Sequence, residues 1–286
     1  MTIKNIILIP IYNDWKSLNQ LLLNIDKCFK NKNNNIEVLV IDDRSNKKLF
    51  IENKKFVSIT KIKVITLSKN LGSQKAIAVG LTYLKMREEN SIITVMDGDG
   101  EDNPEELTKM ILLASNNSEY VITSNRKARK ESPIIILLYK IHLIVTFIFT
   151  FKWISFGNFT SFHSSNLNKL LKGNSSWYAH SSSVLKNCEI KKTYSKRDKR
   201  YFDKSNLGLY SLAEHALRIN SVFLNNIIFS SLVYVLFILI FIPKSFGLIL
   251  TSLILIFNIL VILTKQKHKP KKKIVLDKII EKEILF

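Results

Sequence analysis

The chain is poor in residues that staple or break structure. Its two cysteines, Cys28 and Cys188, are far apart and form no CxxC pair. That excludes a disulfide framework or a thiolate zinc site and fits a reducing compartment. Five prolines and eight glycines in 286 residues exclude collagen-like and low-complexity classes. Acidic residues are scarce: 23 Asp and Glu stand against 43 Lys and Arg, a net charge of +20. Such a balance attracts polyanions, whether nucleic acid, an anionic membrane face or a phosphorylated substrate. The opening residues lack a basic leader with a signal-length apolar core, so no cleaved signal is expected. There is no internal repeat.

What is abundant is apolar sequence. Val222–Ile242 and Phe246–Leu263 carry no charge. Each approaches the ~20 residues that span a bilayer core, and each is apolar all round, as a buried helix of a soluble domain seldom is. Two transmembrane helices are therefore expected over residues 222–264. Six lysines lie between Lys265 and Lys273. The positive-inside tendency places this basic tail, 265–286, in the cytoplasm, and two spans return residues 1–221 to the same side. The lysines also suit an anionic lipid leaflet. A nucleic-acid partner is not expected: the tail lacks interleaved aromatics. Residues 133–156 are apolar but contain Lys140, His142 and Lys152. They read as interfacial helices on the cytoplasmic face rather than a third span.

The first half alternates between two periodicities. Asn5–Tyr12, Ile36–Ile41, Ile62–Leu67, Ser91–Met96 and Glu119–Ser124 read as strands. Leu18, Leu21, Leu22, Ile25 and Phe29 recur at helical spacing, as do Ala76, Val79, Gly80, Tyr83 and Leu84. Asn103 and Pro104 are a cap and a first helical residue, and Leu107, Met110, Ile111 and Ala114 continue that helix. The class is α/β, with a mainly parallel sheet covered by helices on both faces. Ligands of such sheets bind beyond the carboxyl ends of the strands. Three polar clusters fall there: Tyr12–Asp14, Asp42–Ser45 and Asp97–Asp102.

The last cluster, DGDGED, crowds Asp97, Asp99, Glu101 and Asp102 into six residues. Such carboxylates repel unless something positive joins them. An EF-hand is excluded: Asp102 stands where its glycine belongs and Thr108 where its last glutamate belongs. Glu101 and Asp102 also suit the positive end of the following helix, which leaves Asp97 and Asp99 at the strand end unexplained. A D-x-D there suits Mg²⁺ or Mn²⁺, which take oxygen ligands and are often shared with substrate phosphates. The metal would neutralise charge on a leaving diphosphate. A dinucleotide site is excluded because no G-x-G-x-x-G follows the first strand.

The stretches IPIYND, VLVIDDRS, NLGSQKAIAVGL, MDGDGEDNPEEL and SNR occur in that order. Together they resemble a family-2 glycosyltransferase of GT-A fold. FGNF (Phe156–Phe159) and Lys196–Phe223 extend the resemblance toward the dolichol-phosphate mannose synthase and polyprenyl-phosphate glycosyltransferase branch. The resemblance covers roughly residues 4–225. It implies that Pro10, Tyr12 and Asp14 line the nucleotide and that Asp42 and Asp43 hold base and ribose. Asp97 and Asp99 would bind the metal and donor phosphates, and Arg126 would face the phosphates. Arg197, Arg200 and Lys204 match the basic run that receives an acceptor phosphate, a task guanidiniums perform bidentately. Asn158 stands where many relatives carry an acid, so a role as base does not transfer to it.

The expected activity is inverting transfer of a sugar from a nucleotide-sugar, a UDP-sugar above others, to polyprenyl phosphate, for cell-envelope polysaccharide synthesis at the inner membrane. A lipid phosphate is already ionised and needs little general-base help, so positioning and leaving-group stabilisation suffice. An alcohol acceptor would need a base, for which Glu101 and Asp102 are the candidates. Alternatives are another glycolipid or saccharide acceptor, or a noncatalytic scaffold binding anionic lipid. A processive synthase fits less well, since no Q-x-x-R-W segment occurs. Homo-oligomerisation is left open.

Overall fold

The computed structural model describes residues 3–30, 35–52, 55–126, 133–196, 198–202, 208–270, 276 and 279–286. They form two compact units: residues 1–129, 156–205 and 270–286, and residues 130–155 and 206–269.

The first unit is built on an eight-stranded sheet. Its strands are β1 (Lys4–Ile11), β2 (Ile36–Asp42), β3 (Ile59–Leu67), β4 (Ser91–Val95), β5 (Tyr120–Arg126), β6 (Phe156–His163), β7 (Glu189–Ser195) and β8 (Ile280–Leu285). Their spatial order is β7-β5-β6-β4-β1-β2-β3-β8. β1 pairs in parallel with β2 and β4, β2 with β3, and β5 with β7. β6 runs antiparallel between β4 and β5, and β8 antiparallel along β3. All five expected strands are present, and this is the expected GT-A arrangement. β6, β7 and β8 are additions. The expected basic tail is not a separate appendage: its last residues complete the sheet edge.

Both faces of the sheet are covered, and the side chains show why. Ile7, Ile9, Val38 and Val40 point to one face, into a core shared with α1 (Trp15–Phe29). Ile6, Leu8, Leu39 and Ile41 alternate to the other, against α2 (Ser73–Arg87). Central strands buried on both sides read as continuous apolar runs. α3 (Leu107–Ser115) joins the first face through Leu107, Met110 and Ala114. Its entry is a 3-10 turn, Pro104–Glu106, capped by the Asn103 side chain on the Glu105 N–H at 2.8 Å. Gly80 of α2 lies so near β1 that a Cβ there would overlap the Leu8 side chain.

The second unit holds α4 (Pro133–Thr150) and, further along the chain, α8 (Leu209–Ser221), α9 (Leu224–Phe241) and α10 (Lys244–His268). Between these stretches, the first unit carries short helices α5 (Leu167–Leu170), α6 (Ser175–Tyr178) and α7 (His180–Asn187). Polar contacts tie the apolar helices together: Asn220 Nδ2 to Thr146 Oγ1 (3.2 Å), Tyr234 Oη to the Ile148 carbonyl (2.6 Å), and Asn258 Nδ2 to Ser231 Oγ (2.7 Å). Among the described residues three helices, α4, α9 and α10, are long and apolar enough to cross a membrane. The sequence reading expected two. The expected interfacial pair over 133–156 is instead one 18-residue helix, because β6 takes over at Phe156.

Gly80→Ala separates two opposing effects. Helix propensity would favour alanine by about 1 kcal/mol, whereas overpacking against Leu8 costs about 1–3 kcal/mol. The variant is expected to unfold at a lower temperature in detergent. An unchanged or raised midpoint would show that α2 is free to move away from β1.

Candidate active site

The parallel strands β1, β2 and β4 deliver three polar loops to one edge of the sheet, as expected. The first two are stitched together. The Asn13 N–H donates to Ser45 Oγ (2.8 Å), and Asn13 Oδ1 accepts from the N–H groups of Asn46 and Lys47 (2.8 and 3.0 Å). Asn13 makes these contacts from a left-handed backbone, φ +60°, which asparagine tolerates. Tyr12 beside it is exposed, its hydroxyl 3.4 Å from Asn46 Nδ2. Pro10 lies within β1, opposite Ile41.

The acidic pair after β2 is occupied by backbone. Asp42 Oδ1 accepts the Ser45 N–H at 2.9 Å. Asp43 accepts the N–H groups of Leu71 and Gly72, one on each oxygen, at 2.6 and 2.7 Å. Both aspartates are buried. Burial pushes the Asp43 carboxyl up to about 6, against the pull of its two N–H donors. Asp43 thus anchors the loop that leads into α2, a task the sequence did not reveal.

The DGDGED turn is likewise held from within. Asp102 Oδ2 accepts the Asp97 N–H (2.9 Å), and Asp99 Oδ1 accepts the Glu101 N–H (3.0 Å). Asp102 is buried, so it braces the turn rather than standing free as a base. A cation does sit among these carboxylates. Arg200 Nη1 lies 3.1 Å from Asp99 Oδ2, and Nη2 lies 3.6 Å from Asp14 Oδ2. Asp14 also caps α1, accepting the Ser17 N–H at 3.4 Å. The Arg200 segment is fastened to the turn by backbone. The N–H of Tyr201 donates to the Asp99 carbonyl (3.1 Å), and that of Asp198 to the Glu101 carbonyl (3.0 Å). Gly100, at φ +87°, leaves room for the Tyr201 ring, which a Cβ would strike. The Tyr201 hydroxyl accepts from Asn24 Nδ2 of α1 at 2.8 Å.

Arg200 thus reaches the donor-side carboxylates. Arg126 ends β5, with its backbone opposite Ser195 of β7. Arg197 and Lys204 lie outside the described residues. Asn158 is brought to the site by β6, its Nδ2 donating to Asp97 Oδ1 at 3.0 Å. Among the described residues no three His, Cys, Asp or Glu side chains converge as a self-sufficient metal cage. Two aspartates with an oxygen-only donor set still fit Mg²⁺ or Mn²⁺ completed by substrate phosphates. The guanidinium beside Asp99 shows that this edge accepts a cation.

Behind Asn158 lies His180, fully buried at the start of α7. Its Nε2 is 2.8 Å from Thr160 Oγ1. Burial pushes its imidazole down to about 4 from 6.5. A depressed folded-state pKa contributes stability that is present above 6.5 and is lost as pH falls toward about 4. Stability should fall more steeply with acid across that window in the wild type than in His180→Gln. Equal slopes in equilibrium unfolding would show that His180 is not held neutral.

Residues 6–174 match the model of the family described as Glycosyl transferase family 2. Among curated relatives, an undecaprenyl-phosphate 4-deoxy-4-formamido-L-arabinose transferase of Pseudomonas savastanoi pv. phaseolicola is 27% identical over 125 residues, 42% of this chain and 36% of its own. A dolichol-phosphate mannosyltransferase of Pyrococcus furiosus is 29% identical over 118 residues, 41% of this chain and 32% of its own. Each match spans about a third of the relative's length. Two solved structures share the fold at low identity. Glucosyl-3-phosphoglycerate synthase of Mycobacterium tuberculosis, in complex with Mn²⁺, UDP and glucosyl-3-phosphoglycerate, superposes with a TM-score of 0.53 at 12% identity, covering 78% of this chain and 79% of that one. Mannosyl-3-phosphoglycerate synthase of Rubrobacter xylanophilus gives 0.51 at 11%, covering 77% and 72%. The family match takes in the DGDGED turn, both stitched loops and Asn158, more than half of the sequence, and the chain belongs to glycosyl transferase family 2.

Proposed function

We propose that this chain transfers one sugar from a nucleotide-sugar to polyprenyl phosphate, with inversion at the anomeric carbon. The observation that carries the reading is the Arg200 guanidinium set between Asp14 and Asp99. A cation at the carboxylate edge serves an acceptor that is itself a phosphate. The other groups nearby suit that acceptor too. Asn158 carries an amide, and Asp102 is occupied by the Asp97 N–H. Neither is placed to deprotonate an alcohol, and a phosphate oxygen needs no such help. The names of the similar curated transferases agree with this acceptor class.

In the reaction the lipid phosphate oxygen bonds to the anomeric carbon as the bond from that carbon to the nucleoside diphosphate breaks. The stitched loops of Tyr12–Asp14 and Asp42–Ser45 would frame the nucleotide, a UDP moiety being the favoured donor. Asp97 and Asp99 would hold Mg²⁺ or Mn²⁺, which when bound neutralises charge on the leaving diphosphate. Arg200 would exchange its carboxylate partners for the acceptor phosphate, joined by Arg126, Arg197 and Lys204. A charged hydrogen bond of this kind is worth roughly 1.5–3 kcal/mol.

Strand pairing supports a membrane arrangement with α9 and α10 as the two spans. Asn125 of β5 and Phe156 of β6 are register partners, so both ends of the intervening segment are tied to one place. α4 is joined to them by eight residue steps on one side and six on the other, at most ~29 Å and ~22 Å at about 3.6 Å per step. Neither connector can recross a hydrocarbon core of ~30 Å. These short connectors support the reading of α4 as a helix along the membrane surface, despite its apolar composition. β7 and β8 share the same sheet, so the chain between them must cross an even number of times. Catalytic unit and C-terminus then share one face, which the lysines of residues 265–273 mark as cytoplasmic.

One incubation tests the chemistry: solubilised protein, polyprenyl phosphate, Mn²⁺ and a panel of labelled nucleotide-sugars. Label should enter the lipid phase and disappear with EDTA. Arg200→Ala should lower transfer at subsaturating lipid by roughly tenfold or more, as loss of one charged hydrogen bond implies. Transfer at the wild-type rate would remove Arg200 from the acceptor site. For topology, a reporter fused after Phe286 should be active only in the cytoplasm. Activity on the far side alone would refute the two-span arrangement.

A further inference from the structure

We infer that Gln74 and Asn158 form a directional amide relay that orients Asp97, which makes Gln74 a positioning residue for the metal-side carboxylate. This rests on the reading above, in which Asp97 helps hold the divalent cation. Gln74 is in the first turn of α2 and buried to 4% exposure. A buried amide persists only when its hydrogen bonds are made. Its Oε1 accepts the backbone N–H of His180 at 2.7 Å. Its Nε2 donates to Asn158 Oδ1 at 3.1 Å, and Asn158 Nδ2 donates to Asp97 Oδ1 at 3.0 Å.

The direction of this chain has a single solution. The His180 N–H can only donate, so it must meet the oxygen of Gln74. That turns the Gln74 amide nitrogen toward Asn158, which must answer with its own oxygen. Asn158 is left with its nitrogen facing Asp97. A backbone N–H at the start of α7 thereby decides which way both amides face. The backbone of Asn158 is held as well. Thr160 Oγ1 donates to the Asn158 carbonyl at 3.2 Å, so its remaining partner, His180 Nε2, acts as donor. His180 therefore braces Asn158 twice, once through Gln74 and once through Thr160.

The result is one occupied oxygen on Asp97 and a fixed carboxylate plane. Hydrogen-bond partners of metal ligands commonly set affinity by such orientation. Asn158 thus serves this chain as a neutral donor to Asp97, where a carboxylate would repel it.

The test is Mn²⁺ binding to the detergent-solubilised full chain, read as loss of the free-ion electron paramagnetic resonance signal without nucleotide or lipid. Gln74→Met keeps the shape and removes both polar atoms. It should weaken Mn²⁺ binding by roughly tenfold, the lower end for loss of a ligand's support. Asn158→Asp should instead tighten it several-fold, because with the ion bound a third carboxylate beside Asp97 and Asp99 outweighs the lost amide donor. A merely structural role cannot move the two variants in opposite directions. If Gln74→Met does not fold, Asn158→Leu removes the same donor and should weaken binding likewise. Asp97→Asn separates the two ideas. If it abolishes binding while Gln74→Met or Asn158→Leu binds as the wild type, the relay is overturned and the metal reading stands. If Asp97→Asn binds Mn²⁺ as the wild type does, the metal reading fails and the relay's purpose falls with it.

Discussion

Mutual repulsion among Asp14, Asp97, Asp99 and Asp102 is the constraint around which the site edge is organised. Carboxylates this crowded are stable only when each is met by donors. The structure supplies them from several directions. Backbone N–H groups meet Asp99 and Asp102, the Asn158 amide meets Asp97, and Arg200 spans Asp14 and Asp99. The backbone donors belong to the turn itself, the Asn158 amide to β6 and the Arg200 guanidinium to the segment after β7. Satisfying the cluster therefore fixes the relative positions of β4, β6 and the segment after β7.

The same sheet also constrains the apolar segments. Strands on either side of each apolar segment are built into one β-structure, so each segment leaves the sheet and returns to it. β8 adds a further tie. It runs along β3, with Lys63 Nζ 2.8 Å from Glu283 and Arg44 paired to Glu281. Exposed ion pairs of this kind contribute little stability. The backbone ladder and the burial of Leu276 hold the tail in place.

Much of the fold was legible because its signals are local. The five strands of the first half are apolar runs, and the helices between them carry a 3.6-residue stripe. The D-x-D and the two loops beside it were legible for the same reason: polar residues directly after an apolar strand lie at the ligand edge of a parallel sheet. β6, β7 and β8 were not legible. FGNFTSFH has no clean alternation, and EIKKTYS and IEKEIL are largely polar. Their strand identity comes from the edges they pair with, a long-range property that no window of sequence contains.

By itself, then, the sequence determined the α/β class, the position of the carboxylate edge, the α9 and α10 apolar helices and the kinship with family-2 transferases. Only tertiary structure decided the partners of those carboxylates. Asp43 and Asp42 hold backbone, Arg200 reaches the donor side, and Asn158 comes beside Asp97 because β6 lies antiparallel to β4. Continuing the Val95–Thr160 register by two residues brings 97 and 158 together. A hydrogen bond between groups 61 residues apart depends on strand register. Strand register is set by burial on the two faces of a sheet, which exists only once the whole chain has assembled it.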